Sequence, residues 1–133
     1  MAYRKNDFEN KEAMGKIIVG KSEGDDYIMD DSALVYKSPV GLVIITSCSH
    51  VGICSIIEYA KKICKDDKVT DIIGGFHLLN PSKEQLQGTL KYMKKLHPYK
   101  VHACHCTHLD SKIALSNVIN LKDIGVGLKL EYK

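Results

Sequence analysis

An α/β fold, a β-hairpin followed by alternating helix–strand units, is what this sequence predicts, and three observations carry it. "GLVIIT", "VTDIIGG" and "YKVHAC" are apolar runs of strand length. Amphipathic helix patterns of ten or more residues separate them. Strands alternating with helices in this way argue for βαβ units and an at least partly parallel sheet. With 133 residues the chain has room for one domain with a real core.

Taken in order, residues 1–27 read as an N-terminal extension and residues 28–133 as the folded unit. Within the extension "GKIIVG" suits a short strand, and "GKSEGDDY" reads as a turn or loop by its Gly, Ser and Asp content. Residues 32–36 and 40–46 are extended runs joined by "KSPVG", a hairpin pattern. In "VGICSIIEYAKKICK", Ile53, Ile56, Ile57, Ala60 and Ile63 recur at three- and four-residue spacing and predict a helix with those side chains on its core face. "VTDIIGG" is the second buried strand. Ser82 stands three residues before Gln85, in capping-box spacing. Leu86, Leu90, Met93 and Leu96 then make one helix face, which Pro98 ends. "YKVHAC", "LDSKIALSNVIN" and "GVGLKLEY" read as strand, helix and a last strand.

Composition narrows the function classes. Hydrophobic residues make up 44% and charged residues 26%, as in ordinary globular proteins. The net charge of +3 comes from scattered lysines, and 7% aromatics with no Trp offers no platform for stacking bases, so no nucleic-acid partner is expected. No apolar run reaches the ~20 residues of a membrane span. Five cysteines, an odd number at spacings that suit no disulfide framework, read as reduced thiols of a cytoplasmic protein.

The chemistry lies in the loops. His50, His77 and His105 each follow the C-terminal end of a predicted parallel strand, in "SCSH", "GGFH" and "CHCTH". Ligands of open α/β sheets sit in the crevice beyond those ends. Three imidazoles carried to one rim can converge on a metal or a small ligand. Continued strand alternation sends Cys104 and Cys106 to the face opposite His105. No C-x₂-C pair of a structural zinc ribbon occurs. A nucleophilic Cys48 or Cys106 with a histidine partner is the competing use of the same residues. His97, ahead of Pro98, suits a helix end; His102 and His108 are weaker members of the set.

Assembled in order, "DDSALVYKSPVGLVIITSCSHVGICSIIEYAKKI", "IIGGFHL" and "HCT" resemble the metallo-β-lactamase fold. More narrowly, residues 8–133 are similar to the C-terminal half of metallohydrolases like 7,8-dihydropterin-6-methyl-4-(β-D-ribofuranosyl)-aminobenzene-5′-phosphate synthase. The resemblance implies half of an αββα sandwich with a metal site at one edge. It implies metal ligands at His50 and His105, and a ligand, proton donor or substrate contact at His77. It further implies a divalent ion, zinc before manganese or iron, and a small-molecule substrate such as a phosphoester.

Two departures are single residues: Ser47 stands where the family has Gly, a mild change, and His108 replaces the Gly of "HCTG", adding a bulky titratable group beside the implied ligand. A third is large. The family's "H-x-H-x-D-H" is absent, and no histidine precedes His50. The expectation is therefore a half-domain whose bare sheet face pairs with a second copy or with a chain carrying the missing half.

Overall fold

A computed structural model describes residues 5–133 of the chain. The segment before the main sheet forms a hairpin of its own, β1 (Gly15–Val19) against antiparallel β2 (Ser22–Asp26). The turn or loop expected at "GKSEGDDY" is thus a strand over most of its length. Its polar composition gives little strand preference, but Gly20 takes a φ of 66° in the two-residue connection and returns the chain onto β1. Lys16 and Asp25, opposite one another in register, close a 2.6 Å ion pair.

The main sheet contains β3 (Ala33–Ser38), β4 (Gly41–Thr46), β5 (Val69–Gly74) and β6 (Lys100–Ala103), side by side in that order. β3 and β4 are the expected antiparallel hairpin, whereas β4, β5 and β6 run parallel. Helices α1 (Ile53–Cys64) and α2 (Lys83–Leu96) make the crossovers, and α3 (Leu109–Ser116) follows β6. Leu42, Ile44, Ile72 and Val101 of the sheet meet Ile53, Ile56, Ile57 and Met93 of the helices in one buried cluster. Ser82 caps α2 as its spacing predicts, accepting the Gln85 N–H at 3.1 Å.

Ile63 departs from the expected core face of α1. It is 62% exposed: the fully buried positions of α1 end at Ala60, and in the last turn Cys64, not Ile63, packs against the core. The expected last strand at "GVGLKLEY" is also absent. Leu121 makes a single bridge to Val101 on the outer edge of β6, and Gly125 and Gly127 break any continuation. The segment crosses the helix-free face instead, where the Tyr132 hydroxyl donates to Asp71. Asp71 is fully buried there, held also by His102 Nδ1 at 3.0 Å and Lys100 Nζ at 3.5 Å. Further along that face Leu34, Tyr36 and Ile45 remain 73%, 46% and 42% exposed.

The N-terminal segment matters for α1. Gly52 offers no side chain to cap the helix. The carboxylate of Glu9, almost fully buried, does so from 45 positions away in sequence, accepting the Cys54 N–H at 2.7 Å and the Ser55 N–H at 3.0 Å. Gly52, with φ 100°, leaves room for it: a Cβ there would lie inside the Glu9 carboxylate. No helix among the described residues is long and apolar enough to cross a membrane.

Candidate metal centre

Because β4, β5 and β6 are parallel neighbours, their three C-terminal loops meet at one rim. Backbone hydrogen bonds tie the loops together. Gly75 N donates to the Ser47 carbonyl at 2.8 Å, Cys104 N to that of Gly74 at 2.9 Å, and Leu78 N to that of Cys106 at 2.7 Å. Ser49 Oγ donates to the Gly75 carbonyl at 2.6 Å. Ser49, His77 and Cys106 all take left-handed backbone conformations, with φ of 62°, 51° and 46°. Such conformations in non-glycine residues gather at functional sites.

On one side of the rim, Asp31 reaches across from the start of the hairpin. Its buried carboxylate takes the Val51 N–H at 2.8 Å and faces His50 Nδ1 at 3.0 Å. A carboxylate on one ring nitrogen orients the imidazole and leaves Nε2 to act. The His77 ring stands edge-on to that of His50, with centroids 5.0 Å apart. Burial and then the neighbouring His50 pull the His77 pKa below the usual histidine value, with Asp31 opposing. A cavity of about 680 Å³ opens beside His77, between residues 7–12 and the first turn of α2.

On the other side stands His105, with sulfur at both ring nitrogens. Cys48 Sγ lies 3.1 Å from Nε2 and Cys104 Sγ 3.2 Å from Nδ1. Cys106 joins them: one ligand atom each from Cys48, His105 and Cys106 fall within 4.8 Å of one another. This corrects the expectation that Cys104 and Cys106 face away from His105. β6 ends at Ala103, and the left-handed turn at Cys106 cancels the strand alternation on which that expectation rested. Burial, with Cys48 close by, pushes the Cys106 thiol up to about 11.

The structure thus places His50 against His77, and His105 among thiols. The remaining histidines serve the scaffold. His97 is the left-handed C-cap of α2, His102 belongs to the Asp71 network, and His108 caps α3. Asp31 had no assigned role in the sequence; its part in the site depends on a 19-residue reach to His50 that no local pattern signals.

No family model matches the chain. It is 37% identical over 105 residues to the 7,8-dihydropterin-6-methyl-4-(β-D-ribofuranosyl)-aminobenzene-5′-phosphate synthase of Methanocaldococcus jannaschii, covering 77% of this chain and 35% of that protein. It is 33% identical over 95 residues to protein MJ0448 of the same organism, covering 71% of this chain and 34% of the relative. The chain spans about a third of the length of the curated relatives it matches. The crystal structure of Tm1679, a metal-dependent hydrolase of the β-lactamase superfamily, superposes with a TM-score of 0.82 at 29% identity. That superposition covers 94% of this chain and 50% of Tm1679. The chain thus has a metallo-β-lactamase-like half fold and is related to the hydrolases of that superfamily.

Proposed function

We propose that the rim is one side of the active site of a metal-dependent hydrolase acting on a small molecule, with His50 and His105 as metal ligands and His77 as the residue that handles a proton at the leaving group. The observation that supports it most is the gathering of oriented imidazoles where three parallel strands end: Asp31 fixes His50, and His77 lies 5.0 Å from it. The donors fit a divalent ion, zinc ahead of manganese or iron, since imidazole suits all three and the sulfurs beside His105 favour zinc. Such an ion supplies Lewis-acid polarisation of a phosphoryl or carbonyl oxygen and acidifies water towards a pKa of ~7. His50, held at Nδ1, presents Nε2 without having to reorient. His77 rests neutral, and the approach of an anionic phosphoester beside it favours the imidazolium that can donate to a departing oxygen. A phosphorylated substrate is further supported by the name of the first relative, a 5′-phosphate synthase.

The half fold bears on how the site is completed. We infer that the exposed face around Leu34, Tyr36 and Ile45 pairs with a second copy of this chain or with a polypeptide bearing the other half, in the cytoplasm, where the thiols stay reduced. A second reading, a metal- or ligand-binding assembly partner without turnover, is favoured by the exposed apolar face around Leu34, Tyr36 and Ile45.

Metal content and phosphoester hydrolysis of the purified chain test the proposal. Stoichiometric metal that falls in His50→Ala and in His105→Ala, with turnover of a generic phosphoester lost in both, supports the hydrolase. Metal without turnover supports the assembly partner. Metal content indifferent to both substitutions overturns the ligand assignment.

A further inference from the structure

We propose that Cys48 and Cys106 join His105 as direct ligands of one zinc ion, making the β6 side of the rim a thiolate-rich site. This rests on the reading of the rim as a metal site and adds two donors that reading does not use. Zinc–sulfur and zinc–nitrogen bonds of about 2.3 and 2.0 Å in a tetrahedron set donor separations of roughly 3.5–3.8 Å. The three donor atoms already lie within 4.8 Å of one another, with Cys48 Sγ and His105 Nε2 at 3.1 Å, so side-chain adjustments on the order of an ångström suffice.

The surroundings fit an ion as well. Gly75 faces the cluster without a side chain; a Cβ there would stand 2.5 Å from Cys106 Sγ and 2.7 Å from His105 Nε2. Alanine at this position would fill the space between the donors. Cys104 Sγ, on the far nitrogen of His105, is placed to accept the Nδ1–H, which turns the Nε2 lone pair towards Cys48. The His77 N–H, 3.3 Å from Cys106 Sγ, can hydrogen-bond the thiolate. Two sulfurs and one nitrogen leave a fourth position open, the ligand pattern of catalytic rather than closed structural zinc. Binding converts two thiols to thiolates and releases two protons to solvent, while His105 binds as the neutral ring. Soft sulfur donors select zinc over magnesium or manganese.

Anaerobic titration of the reduced full chain with cobalt(II) reads the ligand type directly. The wild type is expected to take up cobalt and develop a thiolate-to-cobalt charge-transfer band in the near ultraviolet. Cys48→Ser and Cys106→Ser should each lose that band's intensity and bind at least ~10-fold more weakly, the lower end of what even outer partners of a metal site cost. His50→Ala should keep the band. Cobalt bound without the band, or a band unchanged in both serine variants, overturns the thiolate site and leaves the histidine-metal reading standing. A wild type that binds no cobalt overturns both. Alkylation mapping of the wild type guards against misfolded variants: zinc should protect Cys48 and Cys106 but not Cys64, and equal labelling with and without zinc refutes the site.

Discussion

His50 and His105 occupy equivalent places, each just past the end of a parallel strand, yet the molecule treats them differently. His50 leans on a carboxylate and faces another imidazole. His105 lies between two sulfurs. Topology delivers both rings to the rim, and it does so through the backbone alone. What each ring can bind is decided by its neighbours, which arrive from other loops: Asp31 from ahead of the hairpin, Cys48 from the end of β4. Equivalent positions in a fold are therefore not equivalent in chemistry.

Substitutions can break the contrast from either side. The largest effect is expected from Gly75→Ala, whose methyl group enters the space between Cys106 and His105. It should destabilise the fold by about 1–3 kcal/mol, as overpacking does, and disturb metal uptake on the sulfur side more than at His50. Thermal unfolding and cobalt titration would show both. Asp31→Ala acts on the other side. It leaves the buried Val51 N–H unpaired, a loss of about 1–3 kcal/mol, and frees the His50 ring, for which metal affinity should drop ~10–100-fold. Isothermal titration with zinc in this variant and in Cys48→Ser separates the two contributions.

A pH series sharpens the comparison with a smaller effect. His77 has its folded pKa below the ordinary 6.5, owing first to burial and second to His50. The unfolded chain therefore binds more protons here, and His77 weakens the fold as pH falls through 6.5 into the mildly acidic range, with little effect above it. His77→Gln should flatten that decline in denaturant midpoints. Asp31→Asn, which removes the opposing charge, should steepen it. Glu58 sets a lower window: burial alone would raise its pKa, but hydrogen bonds from Lys5, Tyr92 and Lys61 bring it down to about 2. Its contribution is present above 4.5 and is lost as pH drops towards 2, so Glu58→Gln should lower stability above 4.5 and remove this decline at the acid end. The smallest effect is expected from Cys104→Ser, which keeps a hydrogen-bond acceptor at His105 Nδ1 and should shift the cobalt spectrum more than the affinity.

Much of the scaffold could be read from local patterns, because periodicity reports burial. "GLVIIT" and "VTDIIGG" are largely apolar runs and became the two inner parallel strands of the sheet. Ser82 and Gln85 met at the spacing a cap requires. That parallelism placed the three histidine loops on one rim is a consequence the sequence already held. What it concealed depends on partners distant along the chain. Ser22–Asp26 is a strand because β1 lies beside it, not because of its residues. Cys106 turned towards His105 because one left-handed residue cancelled the alternation. "GVGLKLEY" alternates like a strand but follows residues 120–122, which already pair with Val101 on the outer edge of β6, and does not join the sheet.

The cap that Glu9 places on α1 has a consequence for how this protein comes apart. Most helices carry their own first-turn stopper; this one depends on a stretch dozens of residues upstream, so the two open together or not at all. Amide protons of Cys54 and Ser55 should exchange with solvent at the pace of the N-terminal strap. A protease that nicks near Asn10 would release the cap of α1 and with it a wall of the cavity beside His77.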